Sequence, residues 1–179
     1  MNWNKHYNLQ GTHAPYSASQ GYWVNYDDDK FIEYAQALKA KERGTELHAY
    51  AEMAIRLGIK QRNTKQTLNM FINDAIGYDM ESEQVLYFSM NFYGTSDAIS
   101  FRNNTLRIHD LKTGEGPTHM RQLEIYAALF CLEYKHKPEC INIILRIYQS
   151  NDIQEEVPDP EVIKHHMERI KSAEQLLNA

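Results

Sequence analysis

Apolar positions along this chain change their spacing at a few sharp boundaries, and those boundaries predict its elements. After Asp27-Asp28-Asp29, which suits a helix N-cap, Phe31, Tyr34, Ala35 and Leu38 recur at helical spacing. Gly44 is expected to separate this helix from a second one that follows at once. Thr67 to Ile76 repeats the pattern through Leu68, Phe71, Ile72 and Ala75, and Val85 to Tyr93 reads as the first long strand. Asn103-Asn104 lies between two alternating segments and predicts a hairpin turn. Met120 to Tyr134 then predicts a helix that buries Leu123, Tyr126, Ala127 and Phe130, Ile141 to Tyr148 a strand, and Asp159 to Leu177 a closing helix. Upstream, Pro15 to Ser19 offers a helix start, and Tyr22, Trp23 and Tyr26 form an aromatic run suited to core packing or to stacking on bases. Three consecutive strands make a meander, and the order α-β-β-β-α-β predicts an α/β fold, a mixed sheet flanked by helices.

Composition adds that 179 residues with 42% hydrophobic content suffice for one core, so the expectation is a single domain over residues 1–179. Its helical part spans about residues 1–80, and its sheet and closing helices about 81–179. Two cysteines, Cys131 and Cys140, exclude a disulfide-rich framework and a four-cysteine iron–sulfur cluster within one chain. The polar start and the lack of a long uncharged stretch predict a cytoplasmic, reduced protein with no membrane segment.

The net charge of -5 argues against a protein that coats duplexes without specificity. Distribution changes that picture. Lys39, Lys41, Arg43, Arg56, Lys60, Arg62 and Lys65 crowd one stretch, whereas Asp152 to Glu161 concentrates acidic charge. The basic stretch reads as a DNA-facing side or as a solvated helical surface, and Arg43 is the favoured phosphate contact.

The candidate chemistry lies around the Asn103-Asn104 turn. Asp97 precedes it and Asp110-Leu111-Lys112 follows it, so antiparallel pairing brings the two carboxylates together. On a strand, side chains two apart share a face, which sets Lys112 beside Asp110 while Leu111 points into the opposite layer. Two carboxylates with an ammonium suit Mg²⁺ or Mn²⁺ and the stabilisation of charge on a transferring phosphoryl group. A charge at Asp110, within an otherwise strand-like segment, would be costly without a purpose.

Further pairs agree in order and spacing. Arg43 to Glu52 carries His48 and Glu52 one turn apart on one helical face, and Gln122 and Tyr126 form a second i, i+4 pair on the helix after the strand that carries Asp110. Together, from about Asp29 to Gln149, these motifs resemble the PD-(D/E)xK nuclease superfamily, and within it the RecB-type branch that includes phage recombination exonucleases. The leading proline of that name is absent here, Ser96 standing before Asp97. The resemblance implies a restriction-endonuclease-like αβββαβ core and a Mg²⁺- or Mn²⁺-dependent deoxyribonuclease. Asp97 and Asp110 would be metal ligands with the Leu111 backbone carbonyl as a further oxygen, and Lys112 would orient water or neutralise the phosphorane.

His48 has two readings, a nitrogen ligand as the resemblance implies or a histidine hydrogen-bonded within the core. Glu52 is preferred to Glu46 as a catalytic and metal-binding carboxylate because it alone lies one turn from His48. Gln122 and Tyr126 would position DNA or hold the catalytic strand. The implied task is exonucleolytic processing of DNA ends in recombination, repair or phage replication, in the host cytoplasm if phage-encoded. The implied partner is DNA, with a homo-oligomer or a separate recombination or annealing protein as further candidates. A structure-selective endonuclease and a non-catalytic DNA-binding or assembly protein are the alternatives. Lys112-Thr113-Gly114 has no accompanying Ser-x-x-Lys, and no Gly-Lys-Ser/Thr ending supports nucleotide hydrolysis.

Overall fold

The computed structural model describes residues 14–16 and 18–178, which divide into two compact units, one up to Arg43 and one from Gly44 onward. The fold is mixed α/β: four helices and a five-strand mixed sheet, in the order helices, strands, helix, strands, helix. Among the described residues no helix is long and apolar enough to cross a membrane.

In the first unit a 3₁₀ helix, Ala18–Asn25, leads into the start of α1, Asp28–Arg56, where Asp27 Oδ1 accepts from Lys30 N at 2.9 Å as the N-cap. Tyr22, Trp23 and Tyr26 pack against Tyr16, Phe31 and Tyr34, with ring centroids 5.8 to 6.1 Å apart.

Gly44 does not end the helix, contrary to expectation. It is a buried interior residue of α1. A Cβ there would lie 2.8 Å from Thr113 Oγ1, so the glycine serves close approach of the helix to the chain just after the third strand. Packing has overridden the helix-breaking tendency of glycine.

The second unit begins at that residue and continues through α2, Thr67–Gly77, into β1, Glu81–Ser89, β2, Phe92–Arg102, and β3, Thr105–Leu111. The long strand expected over Val85 to Tyr93 is thus two strands with a turn at Met90-Asn91, because a hairpin here is made of polar and apolar residues alike. Asn103 and Asn104 adopt φ of 48° and 57°, the left-handed geometry of the expected hairpin turn. After α3, Arg121–Glu133, β4, Asn142–Gln149, pairs parallel to β3. β5, Asp152–Glu156, lies within the stretch that concentrates acidic charge; it forms the sheet edge beside β4, and α4, Pro160–Leu177, follows it.

The sheet order is β1-β2-β3-β4-β5, so the β1-β2-β3 meander stands as expected. Alternation along β3 divides the core. Leu106 and Ile108 join Leu123, Ala127 and Ile163 of α3 and α4, whereas Leu111 joins Ala51, Ala54, Phe71 and Ile72 of α1 and α2. β3 is therefore covered on both faces, and its C-terminal end carries the unusual polar residues.

Candidate metal centre

Asp110 follows Ile108 on the α3 side of β3 and is 3% exposed. Such a carboxylate is expensive to bury without a cation. Lys112 supplies one: its Nζ lies 3.0 Å from Asp110 Oδ2 and donates to Oδ1 at 3.3 Å. Asp110 Oδ2 itself has no hydrogen-bond donor aligned on it, so a buried lone pair remains for a further cation. Lys112 Nζ also donates to Gln122 Oε1 at 2.9 Å, and Gln122 Nε2 donates to the Tyr126 hydroxyl at 3.0 Å. The i, i+4 pair on α3 thus holds the lysine from the helix side.

Asp97 is brought to Asp110 by the β2–β3 ladder, whose pairs Ala98 with His109 and Ile99 with Ile108 stop one step short of them. The Leu111 amide donates to Asp97 Oδ2 at 2.8 Å, and His48 Nδ1 of α1 lies 3.5 Å from the same oxygen. Burial, followed by the charge of Asp110, pushes the Asp97 carboxyl up to about 6, against the amide of Leu111 and against His48. The two acids therefore repel one another in an environment that favours an added positive charge.

A third carboxylate joins them. Glu83 of β1 lies between the ladder pairs Ser82–Ala98 and Gln84–Ser96, with φ of 50°. His48, Glu83 and Asp97 each offer one ligand atom, all within 4.8 Å of one another. Glu83 is exposed, but partial desolvation raises its carboxyl, with His48 opposing and the charge of Glu52 adding. Reasoning from sequence had passed over Glu83. Its only signal was a run of carboxylates, Glu81-Ser82-Glu83, on a strand, and the backbone geometry that aims it at Asp97 leaves no mark in the residue pattern.

Glu52, the carboxylate singled out with His48, faces Arg56 at 3.5 Å and acts on Glu83 through its charge. Arg43 is exposed in the first unit. Burial holds the Tyr126 phenol above its ordinary value; Gln122 opposes this, and the charges of Asp110 and Asp97 add to it. The site thus gathers His48, Glu83, Asp97, Asp110, Lys112, Gln122 and Tyr126 at one end of the sheet. Hard carboxylate oxygens with one imidazole suit Mg²⁺ or Mn²⁺, and the His48–Glu83–Asp97 cluster, with its repelled Asp97 beside the ion-paired Asp110, fits such an ion.

Known proteins do not extend this picture: no family model, curated protein or solved structure matches the chain. Asp97 is fixed by a backbone amide, Asp110 by a strand and a lysine, and Lys112 by a glutamine, so the charged groups are preorganised rather than adaptable.

A second buried polar group lies on the α2 side of the sheet. His109 Nδ1 meets the Tyr148 hydroxyl at 3.2 Å, which itself donates to Asp74 Oδ2 at 2.6 Å, so the ring's proton is on Nδ1 and Nε2 is a bare acceptor without a partner. Arg146 pairs with the same Asp74 at 3.0 Å and with Glu155 at 2.5 Å. Burial, then the charges of Arg146 and Arg107, push His109 down to about 3. This network ties β3, β4, β5 and α2 beneath the candidate centre.

Proposed function

We propose that this chain is a divalent-metal-dependent DNA nuclease of the PD-(D/E)xK kind, acting as an exonuclease on DNA ends. The observation that carries the reading is the convergence of Asp97, Asp110 and Lys112, with Lys112 Nζ 3.0 Å from a buried aspartate and His48 3.5 Å from the other. A cation bound there supplies Lewis acidity toward the phosphodiester and toward water. His48, Glu83, Asp97 and Asp110 would hold it, with the Leu111 carbonyl as the further oxygen that the resemblance implies.

Lys112 places a fixed positive charge where negative charge builds on the phosphoryl oxygens, and Gln122 keeps it from swinging into solvent. Tyr126, through Gln122, extends that support to the helix.

The test compares cleavage of a linear duplex and of its covalently closed circle, with Mg²⁺, Mn²⁺ or chelator, by the native chain and by Lys112→Ala. Metal-dependent loss of the linear DNA alone, abolished by the substitution, supports the exonuclease. Nicking of the circle moves the assignment to an endonuclease. DNA binding with no cleavage under any metal sinks the hydrolytic reading.

A further inference from the structure

The segment from Lys112 to Arg121 encloses space that the charged centre does not use. A cavity of about 590 Å³ is lined by Lys112, Gln122, Pro117, Ile125, His119 and Arg121. Lys112 and Gln122 belong to both the cavity and the candidate centre, so the two are continuous. The volume falls within the range of small-molecule sites, roughly 300–1,000 Å³, and suits one nucleotide rather than a duplex.

The wall is built, not slack. Gln149 Nε2 donates to the carbonyls of Gly114 at 2.5 Å and Gly116 at 2.8 Å, and Thr118 Oγ1 donates to Gln154 Oε1 at 3.2 Å. At Gly114 and Gly116 an added Cβ would meet nothing within 4 Å, so the loop leaves open room beside the lysine. Ile125 keeps 37% of its surface exposed on the helix that carries Gln122 and Tyr126. Arg121, at the first turn of that helix, makes no ion pair or hydrogen bond among the described residues.

Charge separates this cavity from its neighbour. A second cavity shares Thr118, His119 and Arg121 but adds three carboxylates; Glu155 is paired with Arg146 and Glu124 meets His166, and Glu156 is left to repel an anionic backbone. Phosphate is therefore favoured on the side that holds Lys112.

We propose that the cavity beside Lys112 takes a single deoxynucleotide of the cut strand, its base against Pro117 and Ile125 and its phosphate held by Arg121. Apolar surface beside a free guanidinium is the combination that binds a flat, anionic nucleotide. This rests on the nuclease reading for which bond is cut, and deepens it by naming the unit of substrate that sits next to that bond. A subsite for one nucleotide beside the cleavage point suits an enzyme that works from an end.

The test needs no metal for its first arm. Thymidine 5′-monophosphate is titrated into the full chain in chelator, followed by NMR, for the native protein, Arg121→Gln and Ile125→Trp. Cleavage of a linear duplex in Mn²⁺ is measured on the same three proteins. We expect the mononucleotide to bind the native chain, each substitution to weaken it about tenfold, and KM for linear DNA to rise in step while kcat stays within about threefold. Absence of mononucleotide binding, equal binding by all three proteins, or an unchanged KM overturns the subsite, and Lys112-dependent cleavage would then leave the nuclease reading standing. Substitution-sensitive mononucleotide binding in a protein that cleaves nothing supports the subsite while the hydrolytic reading fails.

Discussion

Glu83 stands opposite Asp97 across the β1–β2 ladder, at a point where the paired register skips from Ser82–Ala98 to Gln84–Ser96. A glutamate with φ of 50° stores backbone strain, on the order of 1–3 kcal/mol for a non-glycine residue in a sparsely populated region. Strain kept at a carboxylate that shares a ligand cluster with His48 and Asp97 is what a functional position looks like. Glu83→Gly should therefore raise the melting temperature of the metal-free protein and at the same time weaken Mn²⁺ binding. Glu83→Gln should weaken Mn²⁺ about tenfold or more without the gain in stability. Calorimetric melts with Mn²⁺ titrations on the two variants decide it, and unchanged affinity in both would remove Glu83 from the centre.

Lys112 is held between Asp110 and Gln122, which predicts different losses on the two sides. Lys112→Ala should lower kcat by about 10²–10³ while leaving Mn²⁺ affinity close to native, because in the proposed reading the lysine, held by Asp110 and Gln122, acts on the reacting phosphate and not on the ion. Gln122→Ala should lower kcat less, since Asp110 still anchors the ammonium. Single-turnover cleavage at saturating DNA separates the two effects, and equal losses would mean that Gln122 touches substrate itself.

Much of this geometry was legible in the residues, and the part that was not has a physical reason. Period-two alternation around Asn103-Asn104 located the β2–β3 hairpin, so the approach of Asp97 to Asp110 and the pairing of Lys112 with Asp110 followed from strand geometry alone. Helical i, i+4 spacing likewise placed Gln122 beside Tyr126. Glu83 was hidden because its alignment depends on a left-handed residue inside a strand, which no propensity announces for glutamate. β5 was hidden because three of its five residues, Asp152, Glu155 and Glu156, are acidic, and an edge strand can carry them when a neighbour such as Arg146 answers one. Gly44 misled because helix interiors disfavour glycine, and only a contact distant in sequence, with Thr113, explains its presence.

Gly94 and Tyr126 are coupled by space. A Cβ on Gly94 would lie 2.7 Å from Tyr126 Cε1, closer than real contacts allow, and the ring that must give way is the one bonded to Gln122. Gly94→Ala should thus destabilise the native protein by about 1–3 kcal/mol through overpacking and reduce cleavage by displacing Gln122 from Lys112. In a Tyr126→Ala background the same substitution should cost little. A double-mutant cycle in urea measures the coupling, and additive effects would show that the ring yields freely.

Two groups, the half-buried Asp97 and the buried His109, give the metal-free protein opposed responses to pH. Asp97 is raised from its ordinary 3.8 to about 6, so its contribution favours folding below the unfolded value and is lost as pH rises from about 4 to about 6. His109 is lowered from 6.5 to about 3, so its contribution is present above the unfolded value and is lost as pH falls from about 6.5 toward 3. In chelator the two slopes oppose each other between about pH 4 and 6, each near 1.4 kcal/mol per pH unit at most. Asp97→Asn keeps an acceptor for the Leu111 amide but removes the acid, so relative to native it should gain stability progressively over that interval, by on the order of 1–3 kcal/mol at pH 7. Saturating Mn²⁺ should draw the native carboxyl back down and expose the His109 slope, with stability rising steadily from pH 4 to 6. Urea midpoints at half-unit steps, with and without Mn²⁺, test both halves. A native-minus-variant difference that does not change with pH in chelator would mean that neither burial nor the charge of Asp110 raises the Asp97 carboxyl, and the argument for a cation at this site would fall with it.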